Sequence, residues 1–227
     1  MSGQKIILKS SVDGFEFGAW RFAPSGDRKG GLLLIQEIFG VNETIRATAA
    51  DFAARGYEVI APSLFDRTER DFLAGYDQDG FTRGRAAAGA IDWTVTTADM
   101  QAGLNALGDG PRFVAGFCWG GGAAWIAACR CEGLNAVSSF YGRLVTEFLG
   151  ETNRCPVVFH YGAKDAHIPA EMVERVRAAE KPDTRVFVYD AGHGFFSDRR
   201  DDYEAKSADK ARARTLALFE DPSRLPD

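Results

Sequence analysis

The sequence predicts an α/β protein, a doubly wound and mostly parallel sheet with helices on both faces, folded as one domain over residues 1–227. Three observations predict it. Short runs rich in β-forming residues alternate with helix-length stretches, the rhythm of βαβ units. Leu32-Leu33-Leu34-Ile35 is a continuous apolar run, as expected of a strand covered on both faces. Arg112-Phe113-Val114-Ala115 leads through Gly116-Phe117-Cys118-Trp119-Gly120-Gly121-Gly122 into an alanine-rich pattern, which reads as strand, sharp turn and helix with Cys118 at the apex.

Residues 5–9 and 14–22 read as two short strands joined by the turn Ser11-Val12-Asp13-Gly14. A polar loop from Pro24 to Gly30 precedes the Leu32–Ile35 strand. Asn42 is placed to cap a helix running to about Arg55 and ended by Gly56. Tyr57–Ala61 is the next strand, stopped at Pro62. Residues 66–82, rich in Asp, Gly, Arg and aromatics, break the rhythm and read as a surface excursion near a site. Within it, Asp77-Gln78-Asp79-Gly80 faintly resembles a calcium loop but lacks the third acidic position and the closing Glu. One long helix is expected over 83–108, then the Cys118 turn and a helix over 119–130. Strands near 135–140, 156–161 and 185–190 and helices near 169–180 and 203–220 complete the chain.

A hydrophobic content of 45% supplies a sizeable core, and the net charge of -5 is mild. No basic stripe points to nucleic acid, and the acidic balance argues against an anionic membrane. The start, Met1-Ser2-Gly3-Gln4-Lys5, lacks a signal-peptide pattern, and no run reaches transmembrane length. A soluble cytoplasmic protein, monomeric or weakly self-associating, is expected. Its four cysteines, Cys118, Cys129, Cys131 and Cys155, are too sparse for a disulfide framework. Cys129 and Cys131 form a C-x-C pair without a second pair or a histidine cluster, so neither metal nor cofactor is expected.

Gly116, Cys118 and Gly120 fill the frame of the α/β-hydrolase nucleophile elbow, with sulfur in place of the serine oxygen. A thiol there lies at a helix N-terminus, where backbone N–H groups and the dipole favour its anion. In such folds the acid and then the base follow the nucleophile, each beyond a strand. His160 sits inside the strand Val157–Tyr161 and reads as a packed polar residue; His167 lies only two residues past Asp165. His193, flanked by Gly192 and Gly194 after the strand Arg185–Tyr189, is the expected base. Asp165, directly after strand 156–161, is the expected acid, although a bare cap for the following helix would also explain it. Asp190 is too near His193 in sequence for cross-strand geometry. The oxyanion donors expected are the backbone N–H groups of Trp119 and Ile38. Glu37, ending an apolar strand, is costly to bury unless paired or protonated; an edge solvation site would also explain it, but its place beside the nucleophile assigns it a tuning role.

Gln36-Glu37-Ile38-Phe39-Gly40-Val41-Asn42, Gly116-Phe117-Cys118-Trp119-Gly120-Gly121 and Ala191-Gly192-His193-Gly194-Phe195 together resemble the dienelactone hydrolase (carboxymethylenebutenolidase) family, in the same order over residues 5 to 220. The resemblance implies a cofactor-free Cys-His-Asp hydrolase of the α/β-hydrolase fold acting on an enol-lactone. Cys118 would be the nucleophile, Asp165 the acid and His193 the base, with Glu37 the carboxylate that holds the resting thiol and takes its proton when substrate arrives.

Family members hold the substrate carboxylate with two arginines, one before the long helix and one just past the base. Here Arg83 or Arg85 stands near the first position; Ser197 occupies the second, with Arg199 and Arg200 close by, and Phe39 is a further substrate-contact candidate. A small-molecule enol-lactone is therefore one expected substrate and an uncharged ester or thioester the other. A non-catalytic, thiol-sensing α/β protein is the third reading, disfavoured because no resolving cysteine accompanies Cys118.

Overall fold

The computed structural model describes residues 3–179 and 181–227. Eight strands form one mixed sheet with helices against it. The contacts group into two units, residues 1–113 with 131–133 and residues 114–130 with 134–227.

In the first unit the strands are β1 (Gln4–Lys9), β2 (Glu16–Phe22), β3 (Gly30–Ile35) and β4 (Tyr57–Pro62), in sheet order β1-β2-β4-β3. β1 and β2 pair antiparallel in the register Gln4 to Arg21 through Lys9 to Glu16, a hairpin closed over Asp13-Gly14, with Gly14 at φ 72. β2 is antiparallel to β4, and β3 is parallel to it. Every residue of β3 and β4 is buried, which is why the Leu32–Ile35 run carries no polar alternation. Helix α1 (Glu43–Ala54) begins where Asn42 Oδ1 accepts the Ile45 N–H at 3.1 Å and is followed by Gly56 at φ 97. It buries Ile45, Ala49, Phe52 and Ala53.

The long helix expected over 83–108 is two helices. Helix α2 (Gln78–Gly89) starts inside the 66–82 excursion, because Asp77 Oδ1 caps it by accepting the Gly80 N–H at 2.7 Å. The stretch that faintly resembled a calcium loop is thus a helix cap. Helix α3 (Trp93–Asn105) starts afresh at Asp92, whose carboxylate accepts from Thr94 and Val95. Gly89 weakens the helix just where Asp92 offers the backbone a competing cap, so the chain breaks there.

The second unit carries β5 (Arg112–Phe117, from Val114 on), α4 (Trp119–Arg130), β6 (Ala136–Phe140), a 3₁₀ turn (Arg143–Glu147), β7 (Val157–Gly162), α5 (Ala170–Ala178), β8 (Thr184–Tyr189) and α6 (Ala205–Glu220). Its strands follow chain order, β5-β6-β7-β8, with β6, β7 and β8 parallel. The helix expected near 169–180 is α5, and residue 180 lies outside the described residues. Helix α4 is buried from Trp119 to Cys129, which explains its glycine and alanine content: small side chains let it lie close to the sheet. His160, inside β7, is fully buried and satisfied at both ring nitrogens, by Tyr189 Oη at 2.8 Å and by Ser138 Oγ at 3.1 Å and Thr215 Oγ1 at 3.2 Å. It is the packed polar residue its place in a strand suggested.

Candidate active site

Cys118 joins β5 to α4 in left-handed backbone, φ 56, a conformation that a side chain adopts only when its surroundings impose it. What imposes it is hydrogen bonding on both sides. The Cys118 N–H donates to Phe140 O at 3.0 Å, and its carbonyl accepts from Gly121 at 3.0 Å and Gly122 at 3.4 Å. The flanking glycines are required by close approach. A Cβ on Gly116 would meet Gly120 O at 1.9 Å, and one on Gly121 would meet Phe140 O at 2.4 Å. Cys118 is the one cysteine of the four that is not fully buried.

The loops after β7 and β8 bring up the other two groups. They lie against each other because Gly162 has no side chain: a Cβ there would meet Ala191 O at 2.3 Å. Ala163 N–H donates to Tyr189 O at 2.7 Å and Lys164 N–H to Ala191 O at 2.9 Å. Asp165 is held from two directions. Its Oδ1 accepts the N–H groups of His167 at 2.8 Å and Ile168 at 3.1 Å, and Oδ2 lies 2.7 Å from His193 Nδ1. Asp165 therefore braces its own loop and also orients the histidine. Asp190, the competing acid, is exposed and paired with Lys164 at 2.8 Å.

His193 is buried, 8% exposed, with its ring between Tyr141 at 4.9 Å and His167 at 5.1 Å, centroid to centroid. The Cys118 sulfur stands within hydrogen-bonding reach of the same ring. Burial disfavours the charged imidazole, but the Cys118 sulfur and the Asp165 carboxylate outweigh it, and His193 is pushed up to about 10. Sulfur, imidazole and carboxylate thus form one connected chain within the second unit.

Two contacts here were not foreseen. Tyr141 has φ 38 and packs its ring on His193, with its N–H donating to His160 O at 2.7 Å. Its only sequence signal is an aromatic before Gly142 at the end of a strand. The His167 ring is the other, edge-on to His193 at 86°. Trp119 is the first residue of α4, so its N–H belongs to the set that projects from the helix end.

The remaining predicted residues are distributed as follows. Glu37, Ile38 and Phe39 follow β3 in the first unit, all buried. Arg83 directs its guanidinium to Glu69 at 2.9 Å and Leu73 O at 3.4 Å. Arg85 is exposed on α2. Arg199 is exposed, whereas Arg200 lies against the Gly194 backbone, so of the two arginines past His193 the second is the nearer to its loop. Among the described residues no group of three or more His, Cys, Asp or Glu is placed to hold a metal ion, and no helix is long and apolar enough to cross a membrane.

The chain matches the dienelactone hydrolase family over residues 17–223. It is 33% identical over 211 residues to a candidate carboxymethylenebutenolidase of Yersinia pestis, covering 83% of this chain and 76% of that protein. A candidate dienelactone hydrolase from Klebsiella pneumoniae has a solved structure that superposes with a TM-score of 0.82 at 28% identity, over 97% of this chain and 100% of that one. An α/β serine hydrolase homologue from Coxiella burnetii, 14% identical with a TM-score of 0.66 over 96% and 98% of the two chains, shares the fold. With an α/β-hydrolase fold and a family match running nearly end to end, the chain belongs to the dienelactone hydrolase family.

Proposed function

We propose that this member of the family is a thiol hydrolase that opens a small enol-lactone through an acyl-enzyme on Cys118. The observation that carries the reading is the connected chain from the Cys118 sulfur through His193 to Asp165 Oδ2. On substrate arrival Glu37 takes the thiol's proton, the role that the resemblance implies for it. The sulfur attacks the lactone carbonyl, and the backbone N–H groups of Trp119 and Ile38 receive the oxyanion. His193, whose charged form the sulfur anion and the Asp165 carboxylate favour, gives its proton to the departing ring oxygen as the tetrahedral intermediate collapses to a thioester. The now neutral imidazole takes a proton from water, whose oxygen attacks the thioester and releases the acid. The reading makes the protein a cofactor-free, cytoplasmic enzyme in one domain, monomeric or weakly self-associating.

One observation favours a second reading, an esterase of uncharged esters. Arg83 is already engaged by Glu69 and Leu73 O, and a carboxylate clamp needs its guanidinium in place. The deciding experiment follows the ultraviolet bleaching of a purified dienelactone by wild type and Cys118→Ala, with an aryl ester alongside. Bleaching that disappears in the variant establishes the lactonase and its nucleophile together. Aryl-ester turnover without bleaching replaces the lactone by a neutral ester and keeps the triad. Silence on both substrates rejects the enzyme in favour of a thiol sensor.

A further inference from the structure

The excursion after β4 is fastened to the loop that carries Glu37. Gly40 and Leu73 form an antiparallel bridge, and the Ala74 N–H donates to Phe39 O at 3.1 Å. The approach depends on glycine: Gly40 has φ 79, and a Cβ there would lie 2.1 Å from Phe72 O. The Tyr76 ring then packs edge-on against Phe39, centroids 4.7 Å apart, and its hydroxyl reaches two groups of that loop.

The direction of the hydroxyl proton follows from the cap of α1. Asn42 Oδ1 accepts the Ile45 N–H at 3.1 Å, so the amide is turned with Nδ2 on the other side, 3.2 Å from Tyr76 Oη. An amide nitrogen only donates, so Tyr76 Oη accepts there and its single proton is directed to Glu37 Oε2, 3.4 Å away. Glu37 is 2% exposed and Tyr76 41% exposed. A carboxylate nearly out of solvent is therefore tied to a group at the surface. At 3.4 Å the bond is long for O–H···O, a tether that releases cheaply when the carboxylate moves.

We infer that Tyr76 is a positioning residue for Glu37: its hydroxyl, oriented by the α1 cap through Asn42, holds Oε2 and so sets how the carboxylate is presented to its task. The inference rests on the proposed role of Glu37 as acceptor of the Cys118 proton. It gives the 66–82 excursion a part in the chemistry rather than in coverage alone.

The test compares wild type, Tyr76→Phe, Glu37→Gln and the double variant. Phenylalanine keeps the ring contact with Phe39 and deletes only the hydroxyl. Two quantities are measured at fixed pH: kcat and KM on whichever ester the wild type hydrolyses, and the rate at which iodoacetamide alkylates Cys118, read from the mass of its peptide. Loss of one long hydrogen bond, at the low end of ordinary net strength, predicts a fall in kcat of about 2- to 3-fold, with KM little changed. The alkylation rate should move in the same direction as in Glu37→Gln, and the double variant should match Glu37→Gln alone. Wild-type kcat and alkylation in Tyr76→Phe, with both altered in Glu37→Gln, would remove the tether and leave the role of Glu37 standing. So would additive effects in the double variant, since a merely structural contribution persists when its partner is gone. A Glu37→Gln variant that is silent in both measurements rejects the role of Glu37, and this inference with it.

Discussion

Cys118, His193 and Asp165 come from three loops, and each owes its geometry to a different local cause. Cys118 is held by the hydrogen bonds around its left-handed backbone, and Asp165 by two N–H donors of its own loop. His193 depends on the other two, through the carboxylate at Nδ1 and the sulfur beside the ring. Asp165→Asn should therefore leave the fold intact and lower kcat by about 10²- to 10⁴-fold, because the amide no longer holds the imidazole in the reacting tautomer. Unchanged circular dichroism with that loss in steady-state assays is the expected result; activity within twofold of wild type would remove Asp165 from the triad. That these three side chains meet was legible in the sequence, since each stands beyond a strand in the order the elbow leads one to expect. Tyr141 and the ring of His167 were not, because contact with His193 depends on where two loops settle and leaves no spacing in the chain.

At the scale of elements, glycines at crossing points decide how closely backbones approach. Helix α2 packs its Gly84 against the peptide of Ile38, where a Cβ would stand 2.4 Å from Ile38 O and 3.2 Å from Ile38 Cβ. Backbone cannot rotate away as a side-chain tip can, so Gly84→Ala must displace the helix or the Ile38 peptide. Overpacking of this kind costs typically about 1–3 kcal/mol. The expected outcome is a lowered urea midpoint together with a fall in kcat larger than any change in KM, since the proposed oxyanion donor, the Ile38 N–H, lies across the Ile38 Cα from the displaced carbonyl. A variant that is destabilised but keeps wild-type kcat would dissociate Ile38 from catalysis. The division of the 83–108 stretch into α2 and α3 belongs to this scale as well. Alanine periodicity carried the expected helix across Gly89, but an Asp side chain bonding to backbone N–H groups ends one helix and starts another.

Across the whole molecule the two buried histidines act in opposite senses. His193 is raised from its ordinary 6.5 to about 10, so its contribution to stability is complete below pH 6.5 and is lost as pH rises through about 10. His160 is depressed to about 3, first by burial and then by the charge of Arg214, so its contribution is complete above pH 6.5 and is lost as pH falls through about 3. Stability should therefore peak near the ordinary histidine value and decline on both sides. Urea midpoints measured from pH 4 to 9 check the shape. Asp165→Asn removes one support of the His193 proton and should flatten the alkaline limb while leaving the acid limb unchanged. A curve that rises steadily through pH 8 would contradict the assignment for His193.

By itself the sequence determined the strand and helix rhythm, the sharp turn at Cys118 and the order in which Cys118, Asp165 and His193 follow their strands. The physical reason is that strand burial, turn strain and capping act over a few neighbouring residues and leave a local signature. Tertiary structure alone decided the rest. It gave Arg83 to Glu69 and packed Tyr141 against the His193 ring. It also tied Tyr76 to Glu37 across 39 positions of chain. Each of these is a choice among chemically equivalent side chains, made by which loops the packed backbone lets approach, and no short stretch of sequence encodes an approach.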